Sequence, residues 1–168
     1  MENFPHFIYL SIGSNMGDRA KNLRDSINFL GGTVGKVLEI SPVYKTAAWG
    51  NIHQPDFLNI VLKMQSAKKA PELMASFLEI EERMGRKRIE KWEPRLIDID
   101  LLFYGGEVID LPDLKVPHPG LHLRNFVLVP LNDIAPGFVH PVFQITVKDL
   151  LKESSDPSLV IRDSTLYV

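Results

Sequence analysis

The chain has 168 residues, of which 45% are hydrophobic and 24% are charged, which is the composition of one soluble globular domain. The net charge of −2 argues against a general nucleic-acid binder, and the absence of cysteine excludes disulfides and thiolate metal sites. The N-terminus lacks a secretory signal pattern and no apolar run reaches the roughly 20 residues that cross a bilayer, so we expect a cytoplasmic protein without membrane contact.

Strand and helix patterns alternate through the first half of the chain. The predicted elements are, in order, a buried strand at 7–12, a turn at 13–18, a helix that begins after the N-cap Asp18 and stops at Gly31-Gly32, a long strand at 34–47, a polar loop at 48–56 and a strand at 57–65. In the last of these strands, alternation places Phe57, Asn59 and Val61 on one face and apolar residues on the other.

The second half repeats this alternation and then adds further elements. The predictions are a helix that begins near Pro71 and ends at Gly85, a strand at 98–104, a hairpin at 105–116, an irregular loop at 117–124, a helix at 126–134 that contains Pro130, a short helix at 146–152 and a loosely ordered polar tail beyond Ser154. The order β-α-β-β-α-β predicts an α+β protein with a ferredoxin-like core sheet, helices packed on it, and a hairpin and helix added at the C-terminal side. One domain is expected to cover residues 1–168.

Two aspartates share one face of the predicted strand at 98–104. Asp98 and Asp100 alternate with apolar residues, and residues i and i+2 of a strand lie about 6.6 Å apart on the same side. Two carboxylates placed in this way repel each other unless a cation lies between them. Such oxygen ligands suit Mg²⁺, which leaves part of its shell to substrate phosphates and water. The pair therefore predicts a magnesium site.

A cationic run comes immediately before the aspartates. It contains Arg86, Arg88, Lys91 and Arg95, and Trp92 lies between the last two of these. Arginine grips phosphate oxygens with two parallel hydrogen bonds, so the run next to a magnesium site predicts polyphosphate binding. Each feature taken alone is also compatible with a solvated loop and with a strand that faces water.

A histidine between two prolines is a further candidate for phosphate binding. His118 could donate a hydrogen bond to a phosphate oxygen, and it is equally compatible with a turn histidine that bonds to the backbone. Phe57 and Phe126 fit a hydrophobic core on spacing alone. The sequence contains neither a Walker-type loop nor a dinucleotide-binding glycine motif, so nucleotide binding would depend on side chains.

Several blocks of the sequence occur together in a specific order. They are Ile12-Gly13-Ser14-Asn15, Gln54-Pro55-Asp56-Phe57-Leu58-Asn59, Glu81-x-x-x-Gly85-Arg86-x-Arg88, Trp92-x-Pro94-Arg95-x-x-Asp98-x-Asp100, Val116-Pro117-His118-Pro119 and Arg124-x-Phe126. In these blocks the chain resembles the 6-hydroxymethyl-7,8-dihydropterin pyrophosphokinase family of folate biosynthesis. The resemblance covers about residues 8–151 and leaves the tail at 153–168 without a role.

The resemblance implies a reaction and a role for each matching residue. Pyrophosphate would pass from ATP to 6-hydroxymethyl-7,8-dihydropterin, giving AMP and the pterin diphosphate, with two Mg²⁺ ions held by Asp98 and Asp100. The catalytic residues implied are Arg86, Arg95, Asp98 and Asp100. The ATP-binding residues implied are Glu81, Arg88, Lys91, Trp92, His118 and Arg124. The pterin-binding residues implied are Thr46, Ala48, Trp49, Gly50, Phe57, Asn59 and Phe126, with the two phenylalanines on either side of the ring and Asn59 at its edge.

A binding module without catalysis is the alternative interpretation. Ferredoxin-like sheets also bind nucleotides or RNA through aromatic residues on their central strands. That function would need a basic face and aromatic residues in recognition-motif order, and the sequence has neither. We therefore expect a monomer that binds ATP and the pterin and does not bind nucleic acid. A thermal shift with Mg-ATP and with a pterin, but not with an oligonucleotide, would distinguish the two functions.

Overall fold

The computed structural model describes residues 5–48, 53–85 and 96–168, in which strands and helices alternate. The elements are β1 (His6–Ser14), α1 (Arg19–Thr33), β2 (Lys36–Ile40), β3 (Tyr44–Thr46), β4 (Phe57–Ser66), α2 (Ala70–Arg83), β5 (Asp98–Tyr104), β6 (Ile109–Leu111), β7 (Leu114–Val116), a 3₁₀ turn (Leu121–Leu123), α3 (Asn125–Ile134), α4 (Val147–Glu153) and β8 (Val160–Arg162). None of the helices in the described ranges is long and apolar enough to cross a membrane.

Strands β1 and β4 form the centre of an antiparallel sheet. β5 pairs with the outer side of β1, β2 and β3 share the outer side of β4, and β8 pairs with β3. The strand predicted at 34–47 is therefore two strands. Ser41 interrupts it, because its side-chain Oγ accepts the hydrogen bond of 2.9 Å from the N–H of Val61 on β4. An antiparallel sheet with helices packed on it is an α+β fold, as predicted.

Alternation along the strands gives the sheet two buried faces. On one face, Ile12 and Ile60 belong to a core completed by α1 and α2. On the other face, Tyr9, Val61 and Phe103 belong to a second core completed by α3 and α4. The second core covers only part of its face, and the remaining part carries polar residues near the start of β4 and β5.

The limits of α1 are set by Asp18 at one end and by a close approach to β4 at the other. Asp18 accepts a hydrogen bond of 3.0 Å from a backbone N–H of the first turn, which confirms it as the N-cap. The predicted stop at Gly31-Gly32 is wrong, because α1 continues beyond both glycines. The glycine that the geometry requires is Gly35, where an added Cβ would lie 2.1 Å from the carbonyl oxygen of Gln65. Only a residue without a side chain lets the chain pass β4 at this distance.

Most other elements lie where the sequence predicts them. Strands β4 and β5, the β6–β7 hairpin and helices α2, α3 and α4 are confirmed. Pro71 occupies the first turn of α2, and Pro130 lies inside α3 without ending it. The central part of the predicted polar loop, at 49–52, and the charged loop, at 86–95, lie outside the described residues.

The segment after α4 is part of the fold, so the prediction of a loosely ordered tail is wrong. β8 pairs with β3, which places Val160 opposite Thr46 and Arg162 opposite Tyr44. Further along, Leu166 packs against the core beneath α1 and α2. A strand of three residues is too short to show a period of two, and this explains why the sequence did not predict it.

Candidate active site

A row of polar residues crosses four strands at the uncovered part of the sheet face. Gly13 on β1 lies opposite Asp98 of β5 on one side and opposite Asn59 of β4 on the other, and Asn59 in turn lies opposite Tyr44 of β3. Neighbouring strands are about 4.8 Å apart, so the backbones of Asp98 and Asn59 are separated by about 10 Å. The apolar neighbours of these residues along the strands point into the core beneath α1 and α2, so the row faces the opposite side.

Gly13 leaves the space that its neighbours on β4 occupy. A Cβ added at Gly13 would lie 2.8 Å from Oδ1 of Asn59 and 3.5 Å from Cδ1 of Phe57. The turn predicted at 13–18 thus begins later than expected, since Gly13 is a residue of β1. Its function in the sheet is to let two side chains of β4 lie directly over the backbone of β1.

Asn59 is fixed by a hydrogen bond to the neighbouring strand. Its Nδ2 donates to Oγ1 of Thr46 on β3 at 2.8 Å, and both residues are buried. The bond holds the amide plane in one orientation, with Oδ1 directed towards Gly13. A buried amide held in this way can read the hydrogen-bonding edge of a flat ligand.

The turn after β1 is tied to the residues that lead into β4. The fully buried Asn15 donates through Nδ2 to Oε1 of Gln54 at 3.2 Å and to the carbonyl oxygen of Pro55 at 3.4 Å. Arg19, at the start of α1, donates through Nη1 to the carbonyl oxygen of Asp56 at 2.7 Å. The contacts of Asn15 thus connect two of the sequence blocks that carry the family resemblance, one at 12–15 and the other at 54–59. They hold the chain that delivers the first residue of β4.

The two aspartates of β5 lie where the alternation predicts. Asp98 and Asp100 are half-buried and share the face of the polar row, while Ile99 between them is buried in the core. The N–H of Ile99 donates to Oε1 of Glu81 on α2 at 2.9 Å, and only 3% of Glu81 is exposed. The buried Glu81 carboxylate therefore fixes the strand segment that carries both aspartates. Its predicted contact with ATP stays a prediction.

The donor set on β5 fits Mg²⁺. Among the residues of the described ranges, no three histidine or carboxylate side chains gather as a complete metal cage. Mg²⁺ is commonly held by one or two protein carboxylates, with substrate phosphates and water in the other positions. Asp98 and Asp100 supply that number of carboxylates on one strand face.

His118 lies along the outer edge of β5, close to the aspartates. Its backbone N–H donates to the carbonyl oxygen of Leu102 at 3.0 Å, and the ring atom Nδ1 accepts from the backbone N–H of Gly120 at 3.1 Å. Burial lowers the pKa of His118 and the Arg124 cation lowers it further, while the charge of Asp98 acts in the opposite direction. The neutral ring therefore carries its proton on Nε2, which is a hydrogen-bond donor on the side away from Gly120.

Arg124 and Phe126 lie together at the start of α3. The guanidinium carbon of Arg124 is 5.9 Å from the centre of the Phe126 ring, a cation–π distance. The guanidinium also rests on Gly120, where an added Cβ would lie 3.0 Å from Arg124 Cζ. Phe126 is half-buried and packs at the margin of the second core.

Both ends of α3 are tied to the rest of the fold, and the sequence did not predict either contact. Near its C-terminal end, Asp133 accepts a hydrogen bond from the hydroxyl of Tyr44 on β3. Burial, together with the hydrogen bond and charge of Asp133, raises the pKa of Tyr44 to about 12. At its first residue, the N–H of Asn125 donates to Asp156 of the C-terminal segment at 2.7 Å. The partners are far apart in the sequence, so no local pattern connects them.

The structure therefore brings one part of the predicted site together. Within the described ranges, the predicted residues on or beside the polar face are Thr46, Phe57, Asn59, Asp98, Asp100, His118, Arg124 and Phe126. Ala48 follows β3, half-buried. The predicted residues outside the described ranges are Trp49, Gly50, Arg86, Arg88, Lys91, Trp92 and Arg95.

Residues 9–136 match the family model described as 7,8-dihydro-6-hydroxymethylpterin-pyrophosphokinase. The chain is 40% identical over 148 residues to the 2-amino-4-hydroxy-6-hydroxymethyldihydropteridine pyrophosphokinase of Aquifex aeolicus, which covers 88% of this chain and 92% of the relative. It is 39% identical over 155 residues to the protein of the same name from Methylorubrum extorquens, covering 92% of this chain and 96% of the relative.

Solved structures support the fold independently of these sequence matches. A crystal structure of Plasmodium falciparum HPPK-DHPS superposes with a TM-score of 0.75 at 18% sequence identity. The match covers 90% of this chain and 42% of that longer chain. At this identity the likeness concerns the fold alone, and it includes nearly all of the elements described above.

Proposed function

Because the chain belongs to the 7,8-dihydro-6-hydroxymethylpterin-pyrophosphokinase family, we propose that it transfers the terminal diphosphate of ATP to the hydroxymethyl oxygen of 6-hydroxymethyl-7,8-dihydropterin. The chain is an ATP-dependent diphosphotransferase of folate biosynthesis. In the reaction, the hydroxymethyl oxygen bonds to the β-phosphorus and releases its proton. The bond from that phosphorus to the α,β-bridging oxygen breaks, and AMP leaves with the oxygen and its electron pair.

The observation that carries the proposal is the row that contains Asp98, Gly13 and Asn59. A carboxylate suited to a metal and an amide suited to a ring edge stand on the same sheet face, one on each side of a glycine. Their backbone separation of about 10 Å leaves room for a bicyclic ring and its hydroxymethyl arm between them. Phosphate and pterin would therefore meet above Gly13. This placement supports a transfer between two small molecules rather than the binding of one.

Asp98 and Asp100 would hold the magnesium that accompanies ATP, and we assign two ions to the pair. Bound Mg²⁺ neutralises phosphate charge and orients the phosphate oxygens. The part of the protein in this step is to keep the two carboxylates fixed. The hydrogen bond from Ile99 to Glu81 supports that task, since it anchors the backbone between them.

Cationic and neutral donors would stabilise the phosphates at the edge of β5. The backbone of His118 is bonded to β5 at Leu102, and the charges of both Arg124 and Asp98 act on its ring. Such donors matter because phosphoryl transfer depends mainly on positioning and electrostatic stabilisation. Arg86 and Arg95 are proposed to neutralise the charge that develops on the transferred group and on AMP. The remaining nucleotide contacts proposed from the resemblance are Glu81, Arg88, Lys91 and Trp92.

The pterin ring would lie between Phe57 and Phe126. The first comes from β4 and the second from α3, which packs on that strand, and this supports a pocket with one ring from each element. Offset aromatic stacking suits a flat heterocycle. Asn59, oriented by Thr46, would bond to the edge of the ring. Pterin contacts are also proposed for Ala48, Trp49 and Gly50, on the basis of the family resemblance.

The finer features of the fold and its setting are also proposals. The sheet order β5-β1-β4, with β2 and β3 outside β4, supports a ferredoxin-like topology for the core. We propose that residues 1–168 act as one domain, as a cytoplasmic monomer that binds its two substrates and no nucleic acid. The net charge of −2 supports the last point.

Release of AMP from ATP tests the proposed function directly. Purified protein is incubated with Mg-ATP, with and without 6-hydroxymethyl-7,8-dihydropterin, and the nucleotides are separated by chromatography. We expect AMP only when the pterin and the metal are both present, and removal of Mg²⁺ with EDTA should stop its formation. Formation of ADP, or of AMP at the same rate without pterin, would contradict the proposed reaction.

A further inference from the structure

The C-terminal segment contacts both walls of the proposed pterin site. Asp156 accepts a hydrogen bond from the start of α3, which carries Phe126, and β8 pairs with β3, which carries Thr46. The backbone N–H of Asp163 also donates to the carbonyl oxygen of Val43 at 2.8 Å, just before β3. All of this segment lies beyond residues 9–136, where the family model matches. The match therefore assigns these residues no part in the site.

The first residue of α3 needs a hydrogen-bond acceptor from elsewhere in the chain. The N–H groups of the first helical turn have no partners within the helix. Arg124 occupies the N-cap position, and its side chain makes no capping bond because a guanidinium has no acceptor. Oδ2 of Asp156 takes that place by accepting from the N–H of Asn125 at 2.7 Å. A carboxylate at this end is also favoured by the helix dipole.

Asp156 is itself held in a fixed position. Its Oδ1 accepts from the N–H of Ser158 at 2.9 Å, and its carbonyl oxygen accepts from Nδ2 of Asn125 at 3.1 Å. Its own N–H donates to Oγ of Ser154 at 3.3 Å. Burial acts to raise the pKa of Asp156, but the hydrogen bonds from Ser158 and Asn125 outweigh it and the pKa is lowered. The carboxylate is thus charged at neutral pH and bonded through both oxygens.

We propose that Asp156 is a positioning residue for substrate binding, acting by fixing the first turn of α3. Asn125 lies between Arg124 and Phe126, so the direction of its N–H determines where both neighbouring side chains point. This inference depends on the proposed function, which assigns Arg124 to phosphate and Phe126 to the pterin ring. Loss of the cap would let the first turn unwind and would move the aromatic ring away from the position opposite Phe57.

Asp163 offers a matched control within the same segment. Its Oδ1 accepts from the N–H of Thr165 at 3.0 Å and from the Thr165 hydroxyl at 2.6 Å. The carboxylate therefore stabilises a local turn, as the Asp156 carboxylate does, but these bonds do not reach α3. Asp163→Ala removes the same kind of group, keeps the backbone bond to Val43 and removes no hydrogen bond to α3.

The test compares Asp156→Ala, Asp156→Asn and Asp163→Ala with the unchanged chain. The dissociation constant for 6-hydroxymethylpterin is measured by calorimetry with Mg²⁺ and an ATP analogue that carries a methylene bridge between the α- and β-phosphorus. Amide exchange at Asn125 is followed by NMR, and Tm is recorded for each variant. We expect Asp156→Ala to weaken pterin binding about tenfold and to speed exchange at Asn125. Asparagine keeps one acceptor oxygen for the N–H of Asn125, but its NH2 group must then face the N–H of Ser158. Asp156→Asn should therefore restore only part of the affinity, and Asp163→Ala should leave the affinity unchanged.

Each contrary outcome has a distinct meaning. No pterin binding by the unchanged chain would overturn the proposed function itself. Normal pterin affinity in Asp156→Ala, with faster exchange at Asn125, would overturn the positioning role alone. The positioning role would also be overturned if only a fraction of the Asp156→Ala molecules bound the pterin and did so with the original dissociation constant. The substitution would then affect folding and not the position of the ring.

Discussion

Gly13→Ala should weaken pterin binding while leaving the fold and ATP binding almost unchanged. The new methyl group would lie 2.8 Å from Oδ1 of Asn59, which is shorter than any normal contact between a carbon and an oxygen. The amide cannot move freely, because it is only 3% exposed and its Nδ2 is bonded to Thr46 at 2.8 Å. Relief of the clash must therefore tilt the amide and weaken this bond. The three atoms nearest to the methyl group all belong to Asn59 and Phe57, so the carboxylates of β5 are not its first contacts.

The magnitude follows from the hydrogen bond that the tilted amide can no longer make to the ring edge. A polar group of the ligand that is buried without its partner costs about 1–3 kcal/mol of binding free energy, which corresponds to roughly a 5- to 150-fold increase in the dissociation constant. The backbone of Gly13 is that of an ordinary strand residue, so alanine adds no conformational strain there. Calorimetric titration with 6-hydroxymethylpterin in the presence of Mg²⁺ and the methylene ATP analogue measures the change. Titration with the analogue alone measures nucleotide binding.

Gly17→Ala provides the opposite control. Gly17 has φ of +66°, which disfavours alanine, but an added Cβ would meet nothing within 4 Å. We expect this variant to lower the unfolding free energy by about 1 kcal/mol and to bind the pterin normally. If Gly13→Ala binds the pterin as tightly as the unchanged chain, or if it loses nucleotide affinity to the same extent, the arrangement proposed above Gly13 is refuted.

Three other perturbations test the remaining parts of the structure. Asp98→Ala should lower AMP formation by about a thousandfold or more and should also remove metal-dependent ATP binding. Arg95→Ala should mainly slow turnover. Equal effects of the two substitutions on Mg-ATP affinity would contradict this division of roles. Glu81→Ala removes the carboxylate that accepts from the buried N–H of Ile99. Urea denaturation should then show an unfolding free energy that is lower by about 1–3 kcal/mol. An unchanged urea midpoint would count against the anchoring role of Glu81. Burial, reinforced by His122, lowers the pKa of His140 below its ordinary value of about 6.5, so the folded state favours the neutral ring and stability should fall as the pH decreases below that value. In His140→Asn this part of the pH dependence of Tm should disappear, and an identical pH profile would exclude the residue as its source.

The parts of the fold that the sequence predicted are those with a local cause. Alternation in β4 places Asn59 on one face and Ile60 on the other, because successive side chains of any strand point in opposite directions. The same rule puts Asp98 and Asp100 together before any partner strand is known. The capping side chain of Asp18 is equally local, since donor and acceptor lie within one helical turn.

The parts that the sequence did not predict depend on partners distant in the chain. The bonds from Tyr44 to Asp133 and from Asn125 to Asp156 join elements that only the folded sheet brings together. Gly35 follows the first helix and lies against β4, and no glycine pattern in the sequence reveals this close approach. Gly13 belonged to a recognised block, yet its role follows from the strand pairing that places Asn59 beside it.

The buried Glu81 also bears on how the protein avoids self-association. An exposed strand edge with an apolar, aromatic-rich sequence is a template on which other chains can pair and aggregate. β5 ends in the apolar and aromatic residues 101–104 and, among the strands of the described ranges, it pairs with β1 alone. On its outer edge, Glu81 accepts the N–H of Ile99, and His118 donates to the carbonyl oxygen of Leu102. At these positions the hydrogen-bonding groups are already satisfied within the chain, so the strand that carries Asp98 and Asp100 is also shielded from intermolecular β-pairing there.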